Sequence, residues 1–189
     1  MKKELCVISV LLCGMFFSAN AAENLVENPS FEEEGDLKDA DALIQKGFKV
    51  DPKHWAKDWI INVITTPCEI AIVEEAGAPD GKKILKVKTS GGTHLFTQNY
   101  IPGKNPLKIS FSAKGETLEG KKPGIKLTLY QYKLDGTWYG KNYSAGEYKP
   151  EEKWKIFIVD VPPLGDDVMF KIAFELEGGC DIDNLKAEK

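Results

Sequence analysis

At 189 residues and a net charge of −4, the chain is the size of one domain and lacks the basic balance that nucleic-acid binding demands. It holds two histidines, His54 and His94, and no Gly-x-Ser-x-Gly, His-Glu-x-x-His or phosphate-cradling glycine loop. Both histidines read as surface or edge residues, and a catalytic role has little to stand on. A pair of carboxylates suffices for glycoside hydrolysis, but among 29 Asp and Glu residues some pair is always present.

The chain opens on an export signal. Lys2 and Lys3 give a basic start, Val7–Leu12 and Met15–Phe17 an apolar stretch, and Ala19-Asn20-Ala21 a small-x-small cleavage site, the pattern of a secretory signal peptide over residues 1–21. The apolar part is short of the ~20 residues a membrane span needs. The expectation is a secreted or periplasmic protein whose mature part, residues 22–189, is one domain, a monomer without a transmembrane anchor. Cleavage removes Lys2, Lys3 and Glu4, which takes the net charge to −5. It also removes Cys6 and Cys13, leaving Cys68 and Cys180. In an oxidising compartment one disulfide between them is the simplest outcome, closing a loop worth roughly 4–5 kcal/mol. Two separate buried thiols are the alternative.

The mature part begins Asn24-Leu25-Val26-Glu27-Asn28-Pro29-Ser30-Phe31, read as a short strand, an Asn-Pro turn and a buried anchor at Phe31, followed by Glu32, Glu33 and Glu34. Residues 36–47 space Leu37, Ala40, Leu43 and Ile44 as a short surface helix does, with Gly47 to end it. From there the pattern is strand after strand: 69–74, 84–89, 95–101, 107–113, 125–132, 154–161, 168–176 and 182–187. Turn chemistry separates them at Pro79-Asp80-Gly81, Gly91-Gly92, Pro102-Gly103, Asp135-Gly136, Pro162-Pro163 and Gly178-Gly179. Period-two alternation is clear in three of them. Leu107, Ile109, Phe111 and Ala113 oppose lysines and serines; Ile125, Leu127 and Leu129 oppose Lys126, Thr128 and Tyr130; Val168, Phe170, Ile172 and Phe174 oppose Met169, Lys171, Ala173 and Glu175. Each strand therefore packs one face and leaves the other free. Many short strands with almost no helix predict an all-β sandwich of two antiparallel sheets.

The aromatic residues carry the functional signal. Tyr130 and Tyr132 fall on the side of their strand opposite Leu127 and Leu129, and Trp138 and Tyr139 follow the Asp135-Gly136 turn, with Tyr143 close behind. Exposed rings are flat apolar platforms with a polar tip, suited to the C–H face of a pyranose, while Gln98, Asn99, Gln131 and Glu175 are available to bond hydroxyls. Of Trp55 and Trp59 one is expected in the core and one at the rim, with Trp59 counted among the ligand-binding candidates. Trp154 reads as core. For Tyr130 and Tyr132 the alternative is cross-strand packing beneath a loop.

The last stretch, Cys180-Asp181-Ile182-Asp183-Asn184-Leu185, completes a resemblance. With the opening Asn-Leu-Val-Glu-Asn-Pro-Ser-Phe-Glu it resembles the terminal strands of jelly-roll carbohydrate-binding modules of the group comprising families four, nine, sixteen and twenty-two. Residues 108–114 and 152–155 resemble that group's inner strands. The resemblance implies a jelly roll whose first and last strands lie side by side, often with a structural Ca²⁺ at the junction. Carried over, Glu32, Asp183 and the Ser30 carbonyl would be its ligands, with further backbone and water completing six to eight oxygens. It implies a polysaccharide or glycan as partner and no catalysis. An envelope structural or protein-interaction module of the same fold remains the alternative. The insertion at 36–52 departs from the pattern and alters the shape of any cleft.

Overall fold

Two strands run far longer than the turn signals suggest, and they set the architecture. A computed structural model describes residues 23–61, 66–97 and 99–189, without the side chains of residues 91, 93, 94 and 96. The expected leader 1–21, Gln98 and the side chain of His94 lie outside the described residues.

A two-stranded ladder joins β1 (Glu34–Gly35) to β2 (Trp55–Ala56), with helix α1 (Ala40–Gln45) between them in sequence. The remaining strands are β3 (Trp59–Ile61), β4 (Glu69–Glu74), β5 (Lys83–Thr97), β6 (Ile101–Pro102), β7 (Leu107–Glu116), β8 (Gly124–Lys133), β9 (Trp138–Tyr148), β10 (Lys155–Val161) and β11 (Val168–Glu188). All ladders between these strands are antiparallel. The first half of β11 pairs with β8, and β8 with β9; its second half pairs with β7, and β7 with β10. Strand β5 runs beside β11 throughout, carrying β4 on its first half and β3 on its second. The result is a jelly-roll β-sandwich with leaves β9-β8-β11-β5-β3 and β10-β7-β11-β5-β4, in which β5 and β11 belong to both.

The pairs Gly91-Gly92 and Gly178-Gly179 are therefore not turns between strands, as the sequence suggests, but bends within β5 and β11. The register jumps there: Leu176 faces Thr93, whereas Gly178 faces Thr89. Side chains cannot fit at the crossing. A Cβ on Gly115 of β7 would stand 2.5 Å from Pro123 Cβ and 2.9 Å from the Gly179 carbonyl; one on Gly179 would stand 2.7 Å from Glu116 Cγ. Gly178 has φ +70°, open to glycine at little cost.

The period-two faces pack as their alternation predicts. Ile125, Leu127 and Leu129 face Leu176, Phe174 and Ile172 within one leaf, and Leu107, Ile109, Phe111 and Ala113 line the other, all buried. Phe111 and Phe174 contact edge to face across the interior at 5.1 Å, and Trp59 stacks on Phe174 at 6.3 Å. Phe31 closes the column on Trp59 at 4.9 Å. Leu25–Val26 forms no strand but does lie against the last one: Leu25 N–H donates to the Ala187 carbonyl and Leu185 N–H to that of Pro29, both near 3.0 Å. Helix α1 lies inside the predicted 36–47 stretch, burying Leu43 and ending before Gly47 at φ +93°.

The disulfide is corrected. Cys68 and Cys180 are both buried and no bond joins them. Cys180 faces Val87 of β5, and Val87 faces Ile70 of β4 on its other edge. A whole strand thus stands between the cysteines, about 10 Å at two strand spacings, beyond the ~7 Å Cα limit for a bridge. The Cys180 thiol turns instead to the Glu177 carbonyl at 3.2 Å, and burial pushes it up to about 12. Thiol titration is expected to find two thiols per mature chain after unfolding without reductant, with the Cys180 thiol unreactive at pH 8 while the chain is folded.

Candidate functional site

The outer face of the first leaf gathers the aromatic residues. Antiparallel register places directly opposed residues on one side of a sheet, and two neighbouring rows result. In one, Lys171 of β11 faces Tyr130 of β8, which faces Asn142 of β9; in the next, Met169 faces Tyr132, which faces Trp138. Tyr130 and Tyr132 are half-buried, and Trp138 is 56% exposed. Tyr100, just before β6, packs edge to face on Tyr132 at 5.1 Å and is itself 41% exposed. Burial pushes the hydroxyls of Tyr130 and Tyr132 above the usual phenol range, so they are neutral donors at neutral pH. Farther along the face, Lys126 and Glu175 pair at 3.7 Å.

Several expectations fall elsewhere. Trp59 is core: it is 1% exposed, lies in the aromatic column, and donates its indole N–H to the Asn28 carbonyl at 3.1 Å. Trp55 is equally buried, donating to the Trp59 carbonyl at 2.8 Å, so neither tryptophan forms a rim. Tyr139 neighbours Trp138 but points to the opposite side of the strand, toward Asp167, with Lys141 Nζ 4.9 Å from its ring centre. Trp154, read as core, lies half-buried on the other leaf with its N–H on Glu75 and Lys114 Nζ 5.0 Å from its ring. Gln131 faces Phe170 on the core side, and Asn99 donates to the Leu25 carbonyl.

Sequence reasoning missed Tyr100, since only the pairing of β6 with β11 brings it beside Tyr132. A groove of about 640 Å³ at the end of the sandwich is lined by charged chains such as Glu116, Lys122 and Lys153, and offers no ring as a platform.

At the junction of the termini Ser30 and Asp183 are linked through Asp80, and Glu32 is bonded to the residues that follow the Pro79-Asp80-Gly81 turn. Ser30 Oγ donates to Asp80 at 2.6 Å, and Asp80 N–H donates to Asp183 at 2.8 Å. Glu32 Oε1 accepts from Lys82 and Lys83 N–H at 2.6 Å. Asp183 has no solvent exposure; burial pushes its carboxyl up to about 7, with the charges of Asp80 and Glu32 adding to the effect against the N–H groups it accepts. Among the described residues no three His, Cys, Asp or Glu side chains converge as a ligand group. The oxygens that lie together here are those of Asp183, Asp80 and Ser30.

No protein-family model and no curated protein matches the chain. Solved structures match its fold. The CBM22-1 xylan-binding domain of Paenibacillus barcinonensis Xyn10C aligns with a TM-score of 0.56 at 13% identity, over 90% of this chain and 97% of that domain. A CBM61 module in complex with β-1,4-galactotriose aligns at 0.51 and 14% identity, over 89% and 99%. The enzymatically active domain of tailspike protein 4 from bacteriophage CBA120 aligns at 0.60 and 11% identity over 87% of this chain, which spans only 21% of that protein. The chain thus has the jelly-roll fold of carbohydrate-binding modules.

Because Trp59 is a core residue, Trp59→Ala is expected to cost about 3–5 kcal/mol in denaturant unfolding, the range for large aromatic truncations. Trp138→Ala is expected to leave stability within about 0.5 kcal/mol, as an exposed substitution does.

Proposed function

We propose that the chain is an exported, non-catalytic carbohydrate-binding module. A polysaccharide or glycan lies across β11, β8 and β9 on the platform of Tyr130, Tyr132 and Trp138. One observation carries the reading: these three residues, with Tyr100, sit together on the outer face of a sheet whose other face is the core. Rings held by strands lose little entropy on contact, and they bury apolar C–H surface without displacing the protein's own hydrogen bonds. Sugar hydroxyls exchange water partners for protein ones at modest net gain, so affinity for one chain is moderate. The leader at residues 1–21 would take the domain to the cell exterior or periplasm, where such polymers are found. Among the described residues no helix is long and apolar enough to cross a membrane.

Retention of the mature chain on insoluble polysaccharides, with a soluble glycan array beside it, tests the reading. Tyr130→Ala, Tyr132→Ala and Trp138→Ala are each expected to weaken binding by about tenfold, as central interface rings do, without loss of fold. Unchanged binding in all three would move the site elsewhere, and no retention on any glycan would defeat the reading.

We further propose a structural Ca²⁺ held by Asp183 and Asp80, with Ser30 and Glu32 at its border. The donor chemistry fits a hard cation, and Asp183 is a fully buried carboxylate beside two others. The cation would neutralise that charge and fasten the opening loop to β11. Calcium at a hundredfold excess over its Kd is expected to stabilise the EDTA-treated protein by about 2.7 kcal/mol. Asp183→Asn is expected to abolish the effect while raising the stability of the metal-free form.

A further inference from the structure

Several lysines on the outer faces of the leaves are paired with carboxylates, but one on the aromatic face is not. Lys86 and Lys114 reach Asp181, Lys114 also reaches Glu75, and Lys126 reaches Glu175. Lys171 has no carboxylate partner among the described residues. It projects from the middle of β11, directly opposite Tyr130, with its Nζ 4.5 Å from the centre of the Tyr100 ring. Tyr100 in turn abuts Tyr132. The Lys171 side chain is thus half-buried, its ammonium over the face of Tyr100 and its backbone position opposite Tyr130. Its pKa is lowered, by burial first and then by repulsion from Lys38. Glu175, farther along the same face, is engaged with Lys126.

We propose that the ligand of this face carries an acidic group, a carboxylate or a sulfate ester, and that Lys171 recognises it. The inference rests on the reading of this face as a glycan platform. A lone lysine held among rings is poor design for a neutral sugar, because its strongly hydrated point charge must be stripped of water with no opposite charge in return. An acidic substituent supplies that charge where screening is weakest. Tyr130 and Trp138 then provide the stacking surface on one side of the substituent and Tyr100 on the other. The overall negative charge of the chain disfavours indiscriminate attraction of polyanions, so a charged ligand needs a local cation of this kind.

Affinity electrophoresis of the mature protein tests this in gels containing polygalacturonate, its carboxyl-reduced form, dextran sulfate, dextran, neutral xylan or β-1,4-galactan. One acidic polymer is expected to bind at least about tenfold tighter than its uncharged counterpart, the scale of one charged hydrogen bond; which one identifies the group. Lys171→Met is expected to erase that preference, and Lys171→Arg to keep it, with thermal melts confirming that both variants fold. Equal binding of charged and uncharged forms, or a preference that survives Lys171→Met, overturns the proposal and leaves the glycan platform standing. Retardation by none of the gels, neutral ones included, overturns the platform and the proposal together.

Discussion

Two strands, β5 and β11, belong to both leaves of the sandwich, and the rest of the molecule is fitted around that constraint. A strand that serves two sheets must turn between them without a side chain in the way. Here the turn is made where Gly115, Gly178 and Gly179 let three backbones approach closer than any Cβ allows. The register jump between Leu176 and Gly178 absorbs the change of direction. Once both strands are bent, the inward residues of the two halves face each other and the aromatic column from Phe31 through Trp59 and Phe174 to Phe111 fills the gap. Each further strand needs only to add to an edge already present.

The same constraint makes the two outer faces unlike. On the leaf with β7 and β10, outward positions of the shared strands carry Lys86 and Asp181, and Lys114 of β7 completes an ionic network that also holds Glu75 and Trp154. Burial pushes the Asp181 carboxyl up, and the two lysines oppose that. Such a face is satisfied by its own charges. On the leaf with β8 and β9 the outward positions carry rings, an amide and a lysine, whose stacking surfaces and charge look outward for partners. One fold thus presents two outer faces of different chemistry, one ionic and one aromatic.

Much of this was legible in the sequence. The alternation of Ile125, Leu127 and Leu129 with Thr128, Tyr130 and Tyr132 specified both the buried face and the platform, because a period of two leaves a strand no choice of sides. What was not legible depended on partners distant in the chain. A glycine pair is the same signal whether the chain reverses there or bends within one strand, and only the register of β5 against β11 decides. Cys68 and Cys180 looked paired because counting thiols says nothing of the strand between them. Trp59 and Trp154 exchanged roles for a related reason: each lies at a strand boundary, where alternation has too few residues to set its phase. Asp80, read as a turn residue, joins Ser30 and Asp183 only once β5 is laid beside β11.

The position of β11 also has a consequence in time. Val168–Glu188 is the central strand of both leaves, and it is the last element of the domain to be synthesised. Before it emerges, β7 and β8 have each other's sequence neighbours but no shared strand to pair with, and neither leaf can close over the aromatic column. Contacts of such long sequence separation form slowly. Neither leaf of the nascent domain can therefore close until its final strand has arrived.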